Sequence, residues 1–239
     1  MCRMIAAVGE HDLEALKEAL LLMALNRNPA YEHEHRHRGD AIQHDCGWGA
    51  AFVTPDGLVV RRSTRPCFDD PEFDALACDG AALAVLHARR NRDRSTIAID
   101  NTHPFTATWR GVDYAFFHNG DVRDRGQLRY DASLTPSGSS DSEELFFHVL
   151  TTLDAVRPAQ SLRTALACIT DFTALNCFLV SPGGLTVYAR MSEDSACPRY
   201  YSLWRSSGGA EVLSSEVVSG VDGDWTSVPD GAALRVDTP

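Results

Sequence analysis

The chain has 239 residues, of which 44% are hydrophobic and 23% charged, enough apolar material for a sizeable buried core. Its formal net charge of -11 gives it no attraction to phosphate backbones or anionic lipid, so nucleic acid and membrane are set aside as partners. No apolar run approaches the roughly 20 residues of a membrane span, no secretory leader pattern opens the chain, and 7 cysteines without a CxxC pair fit reduced thiols in the cytoplasm.

Residues 3–8 read as a short buried strand. Asp12 caps an amphipathic helix running to about Leu25, with apolar residues at 13, 16, 20 and 23. The polar, His-rich stretch 26–45 predicts a loop. Strands are predicted at 47–53 and 58–62, around a Pro55-Asp56-Gly57 turn. The stretch 65–80 is irregular and rich in Pro and Asp. Apolar strands are predicted at 82–88 and 114–117, the second running straight into His118-Asn119-Gly120. A Ser/Gly/Pro loop over 134–140 leads to a helix at about 141–153, with Ser140 or Asp141 at its N-cap, and a second helix covers about 159–170. The last third reads as strands at 175–181, 185–190, 200–205, 211–215 and 232–236, separated by Gly-Gly and Asp-Gly turns. Strands, then consecutive helices, then more strands predict an α+β layered fold in place of alternating βαβ units. With no internal repeat or low-complexity linker, residues 1–239 are expected to form one domain.

Cys2 directly follows Met1. Cysteine is small enough for the initiator to be trimmed, which would leave Cys2 as the first residue of the mature chain. A free α-amine has a reference pKa of roughly 7.7–8.0. Much of it is unprotonated near neutrality, so it can serve as general base to the thiol on the same residue.

The motifs that accompany Cys2 are MCRM at the start, HDCGWGAAF at 44–52, LHARRN at 86–91, NTHPF at 101–105, FHNG at 117–120 and SDSEELF at 140–146. Each is modest alone. In this order they resemble the class II glutamine amidotransferases, in particular the stand-alone bacterial-type members. The resemblance covers Met1 to about Leu153 as ordered motifs and continues more weakly to the end. It implies a four-layer αββα N-terminal-nucleophile hydrolase sandwich with mostly antiparallel sheets. It also implies a linear γ-amide as substrate, no cofactor and no metal.

The residue roles have physical readings beside the resemblance. Asn119 and Gly120 follow an apolar strand, where a side-chain amide and a backbone N–H can aim at one point as an oxyanion hole. Read without the other motifs, Asn-Gly is simply a hairpin turn. Arg89 leaves the end of a buried strand, and arginine forms bidentate pairs with carboxylates. The resemblance gives Arg89 the α-carboxylate of glutamine and Asp141 its α-ammonium, although Asp141 also reads as a plain helix cap. Gly47 and Gly49 flank Trp48 at a strand start, where small residues permit close backbone approach. Trp48 is expected as a wall of the pocket. Thr102 and His103 precede Pro104, which favours an extended bend beside the substrate. Family members usually have Asp before Gly-Trp-Gly, where this chain has Cys46. They often have Trp-Ala-Thr-His after the arginine, where this chain has Arg90-Asn91-Arg92-Asp93. Cys168 and Cys177 lie in apolar runs and read as core.

Alternatives stay open at this level. A stand-alone member could pass ammonia to a partner synthase, or hydrolyse another γ-glutamyl amide, as the ergothioneine-pathway γ-glutamyl hydrolase does, a protein that also begins MCR. The chain could be a non-catalytic binding member of the family. The segment 33–46, with His33, His35 and His37 alternating before His44 and Cys46, could instead hold zinc. The acceptor and the oligomeric state, homo-oligomer included, are not legible.

Overall fold

A computed structural model describes residues 2–221 and 223–239. Met1, whose removal would leave Cys2 as the first residue, lies outside the described residues. The strands form a seven-stranded sheet in the order β11-β9-β10-β1-β4-β2-β3 and a five-stranded sheet in the order β12-β8-β7-β6-β5. In the larger sheet β1 is Arg3–Val8, β2 Trp48–Thr54, β3 Gly57–Ser63, β4 Leu83–Ala88, β9 Trp204–Ser207, β10 Glu211–Ser214 and β11 Trp225–Ser227. In the smaller one β5 is Phe105–Trp109, β6 Val112–Val122, β7 Phe172–Ser181, β8 Gly184–Ala189 and β12 Ala232–Asp237. Every strand pair is antiparallel. The longer helices are α1 (Leu13–Ala24), α2 (Asp141–Thr152) and α3 (Pro158–Ala167).

The hydrophobic pattern stacks these elements into layers. Strand β1 is buried at every position because it sits mid-sheet with both faces covered. Its Ile5 and Ala7 pack with Leu16, Leu20 and Met23 of α1. Its Met4, Ala6 and Val8 point the other way, toward Phe117, Phe178 and Val187 of the smaller sheet. The outer face of that sheet, with Phe116, Leu175 and Leu179, meets Leu145, Phe146 and Leu150 of α2 and Leu162 and Leu166 of α3. The order is therefore helix, sheet, sheet, helices, the αββα sandwich that the motifs implied.

Several boundaries differ from the sequence reading for physical reasons. Strand β6 does not end before Asn119. It runs to Val122, with Asn119 paired to Asn176 and a register shift between Gly120 and Val122. Ser140, not Asp141, caps α2, its hydroxyl accepting from Ser142 N–H. Residues 200–205 are not one strand, because a helical turn at Pro198–Tyr201 precedes β9. Strands β5 and β11 were not expected; β5 does alternate apolar and polar residues from Phe105 to Trp109, whereas β11 is only three residues long. The His-rich stretch is a loop as expected apart from one helical turn, and it is only partly solvated. It contains a helical turn at Glu34–His37, and His33 and His44 are buried. Cys177 is core, but Cys168 caps the end of α3 and is exposed.

The small residues of the GWG motif are required by close approach. A Cβ built on Gly49 would stand 1.8 Å from the His103 carbonyl oxygen, and one on Gly120 would stand 1.7 Å from the Ala174 carbonyl oxygen. Both obstacles are backbone and cannot swing away. Gly49→Ala is expected to destabilise the protein by about 3 kcal/mol, the upper end for forcing atoms into a packed site, read as a lower urea midpoint at unchanged slope.

Candidate active site

The layering brings the motifs to one end of the sandwich. Strands β1 and β4 pair antiparallel with Arg3 opposite Ala88, which sets Cys2 and Arg89 side by side just beyond the ladder. Strand β2 pairs with the other edge of β4, Trp48 opposite Ala88, and Arg89 then exchanges backbone bonds with Gly47 (2.8 Å) and Cys46 (3.0 Å). From the second sheet β6 delivers Asn119 and Gly120, and the N-terminus of α2 delivers Asp141.

These groups meet at a cleft of about 810 Å3 lined by Cys2, Arg89, Arg90, His103, His118, Gly120, Asp141, Tyr200 and Tyr201, among others. The Cys2 backbone nitrogen donates to Asn119 Oδ1 at 2.9 Å. The Cys2 sulfur lies 3.9 Å from the Arg90 carbonyl oxygen. Asn119 is buried behind the cleft wall, and its Nδ2 reaches Ser215 Oγ at 3.4 Å, a long contact.

Arg89 is buried, with one terminal nitrogen 3.1 Å from Thr96 Oγ1 and the other 3.5 Å from the Cys46 carbonyl. Among the described residues it forms no ion pair. A buried guanidinium without a carboxylate is costly and stands ready for an anion. Asp141 is only half-buried. Its Oδ2 accepts from Val122 N–H at 2.7 Å, which anchors the carboxylate at the cleft wall. Substituting Arg89 by Lys keeps the charge and removes the fork. That variant is expected to weaken binding of a free α-amino acid about 10–100-fold, the loss of one charge-assisted hydrogen bond or two, as calorimetric titration would show.

Two histidines that line the cleft, His103 and His118, and the neighbouring His87 are held neutral by burial. His87 is pushed down to about 3, first by desolvation and then by Arg89. His103, its ring centroid 4.3 Å from that of His87 and tilted to it by 41°, is held well below the ordinary range by burial and by His87 itself. Burial also lowers His118, whose Nε2 donates to the Ala174 carbonyl (3.1 Å) and whose Nδ1 then accepts from Ser142 Oγ (2.9 Å). None of the three hydrogen-bonds Cys2.

Not every expected contact reaches the cleft. Trp48 is fully buried in the core instead of forming a pocket wall. Its Nε1 donates to Asp70 Oδ2 at 2.9 Å and its ring meets Phe73 edge-on. Its side chain alternates onto the α1 face of the sheet, away from the site. Thr102 is fully buried and donates to the Ala98 carbonyl at 2.8 Å, so it shapes the bend. His103 does line the cleft. Asp45 pairs with Arg94, at 2.9 and 3.0 Å, and so pins the loop after Arg89 from outside. The zinc reading loses its geometry, since Glu34–His37 is helical and no group of three or more His, Cys, Asp or Glu able to hold a metal is found among the described residues.

Sequence reasoning missed part of the cleft lining. It comprises His35, Asp40, Ala41 and Ile42 from the His-rich segment and Tyr200 and Tyr201 from the turn before β9. A usable signal was present. Arg3 heads an otherwise apolar buried strand, and such a residue demands a buried carboxylate somewhere in the chain.

The sandwich and the polar cleft at its open end define an amidotransferase fold of the N-terminal-nucleophile type. Similar solved structures are a glutamine aminotransferase class-II domain protein from Silicibacter pomeroyi (TM-score 0.61, 21% identity, 99% of each chain) and glutamine phosphoribosylpyrophosphate amidotransferase from B. subtilis (TM-score 0.61, 15% identity, 99% of this chain and 49% of that one). At these identities the likeness is one of fold. The sequence profile of the class II glutamine amidotransferases matches residues 23–178, well over half of the chain, and the chain belongs to that family. The match begins after Cys2. Among curated relatives, YafJ of Escherichia coli K12, named only provisionally as a glutamine amidotransferase, is 29% identical over 118 residues, 47% of this chain and 44% of that protein. A Haemophilus influenzae protein with a similarly provisional name is 28% identical over 144 residues, 57% of this chain and 49% of that protein. The chain thus spans about half the length of the curated relatives it matches.

Proposed function

We propose that this chain hydrolyses the side-chain amide of glutamine through Cys2, releasing glutamate and ammonia, and that it does so as one domain over residues 1–239. The observation that carries the reading is the 2.9 Å contact between the residue 2 nitrogen and Asn119 Oδ1, made at the edge of a cleft that also presents Arg89 and Asp141. A cation and an anion at one end of a cleft suit the carboxylate and ammonium of an α-amino acid. With Met1 removed, the Cys2 nitrogen becomes an amine oriented by Asn119. It takes the thiol proton and the sulfur attacks the δ-carbonyl. The Asn119 amide and the Gly120 N–H receive the oxyanion. The tetrahedral species collapses to a thioester as the protonated amine gives its proton to departing ammonia. Water then attacks the thioester, the sulfur leaves, and glutamate is freed. No cofactor enters this scheme. The ammonia is proposed to pass to a partner synthase.

The test is intact mass of the purified protein with and without a diazo-ketone analogue of glutamine, beside a glutamate-release assay. The reading expects a mass lacking methionine, one equivalent of label on Cys2, and glutamate. A retained Met1 together with an unlabelled, inactive protein would reject it.

A second reading keeps the chemistry and enlarges the leaving group. It is favoured by the cleft's extent, about 810 Å3 running past the clamp to Tyr200, Tyr201 and His35, a size that encloses drug-sized ligands (roughly 300–1,000 Å3). Turnover of γ-glutamyl conjugates measured beside glutamine separates the two.

A further inference from the structure

Behind the nucleophile lies a buried ionic cluster that the hydrolytic scheme does not use. Glu216 follows β10 and is fully buried. Its Oε1 stands 2.9 Å from Arg3 Nε, and its Oε2 accepts from Asn28 Nδ2 at 2.9 Å and from an Arg36 terminal nitrogen at 3.3 Å. His33 packs 3.6 Å away and is pushed down to about 3 by burial and by Arg3 and Arg36, so it brings no further charge. A buried carboxylate shared by two guanidiniums is expensive to desolvate and poorly explained as a stabilising device. Its connections suggest another use.

In one direction Arg3 donates to the carbonyl oxygens of Cys2 (3.4 Å) and Tyr200 (3.1 Å), and its guanidinium lies 3.7 Å over the Tyr200 ring. In the other direction Arg36 donates to the carbonyls of Asn28 and Tyr31 and to Asn26 Oδ1, which ties up the backbone of the His-rich segment. Glu34 of the same segment accepts from the backbone N–H groups of Arg199 and Tyr200 at 2.9 and 3.1 Å. His35 then meets the Tyr200 ring edge-on at 4.5 Å, and both line the cleft. One carboxylate therefore links the backbone of the nucleophile to that part of the cleft lining.

We infer that Glu216 is a positioning residue for this site: through Arg3 it fixes the main chain that carries Cys2, and through Arg36 and Asn28 it holds segment 33–42 as the wall on the leaving-group side. The inference rests on the glutaminase reading for its kinetic consequence and on geometry alone for its structural one. Arg89 and Asp141 are on other elements, so the amino-acid clamp stands apart from the cluster.

The experiment compares wild type with Glu216→Gln, which keeps the shape and removes the charge. Two quantities are read, initial rates with glutamine and backbone hydrogen exchange. A misplacement of the nucleophile by about 1 Å is expected to lower kcat about 10–100-fold with KM within about threefold of wild type. Exchange is expected to rise in 28–44 and 198–201 and to stay unchanged in α2. Should Glu216→Gln fail to fold, Arg36→Gln, at the outer end of the cluster, is expected to raise exchange in the same segments with a smaller loss in kcat. Wild-type kcat in a folded variant, or faster exchange spread evenly over both sheets, would overturn the inference. A wild-type protein that releases no glutamate sinks the glutaminase reading instead, and the exchange pattern still decides the positioning role.

Discussion

Cys2→Ala is expected to release no glutamate, a fall of at least about 10⁴-fold of the kind seen when a covalent nucleophile is removed. The size follows from what remains. The clamp and the oxyanion donors would still bind glutamine, but nothing could form the thioester. No second thiol can substitute, because Cys2 is the cysteine that lines the cleft. Burial pushes Cys67 up to about 12, holds Cys177 well above the ordinary range and raises Cys46, so these are poor thiolate donors at neutral pH. The variant should fold, since the change deletes one sulfur at the cleft edge, and its urea midpoint should lie close to wild type. The diazo-ketone label should vanish with the activity. Glutamate release within tenfold of wild type would show that some other group does the chemistry.

Asn119→Ala is expected to lower kcat about 10²–10³-fold, the usual loss for one oxyanion donor. In this structure the side chain has two tasks. Its Oδ1 accepts from the residue 2 nitrogen at 2.9 Å, and among the described residues its Nδ2 makes only the long contact with Ser215. Truncation to alanine removes both, and leaving the residue 2 nitrogen short of a buried partner costs about 1–3 kcal/mol of its own. Asn119→Asp separates the tasks, because it retains an acceptor for the residue 2 nitrogen but has no amide donor. If Nδ2 stabilises the oxyanion, the Asp variant is as slow as the Ala variant. An Asp variant near wild-type kcat would move the role of Asn119 from the oxyanion to the amine.

The site was legible where local chemistry and chain geometry coincide. Arg89 could be placed because it ends an apolar run, and β4 does deliver it beside Cys2. Gly49 could be read as a point of close approach, and the His103 carbonyl proves to be what approaches. Asp141 is where its motif suggested, although Ser140 does the capping. Trp48 was misplaced because strand alternation, which decides the face, depends on where the ladder begins. A Trp between glycines gives no sign of which side that is. The His-rich segment was read by its polarity as a loop, with no sign that His33 in it is buried. Its burial depends on Glu216, nearly two hundred residues away, and no local pattern announces such a partner.

From the sequence alone came the class of fold, the order of most strands and helices, and the candidate residues for the site, because apolar periodicity and residue chemistry are local properties. Tertiary structure decided which of those residues share a cleft, that the cleft extends beyond Arg89 and Asp141 to Tyr200 and His35, and that Arg3 and the histidine segment meet on one buried carboxylate. Those facts depend on sheet order and register. Strands β1 and β10 lie side by side although the chain between them runs nearly its whole length. That pairing, between residues far apart in the chain, places Glu216 behind Cys2.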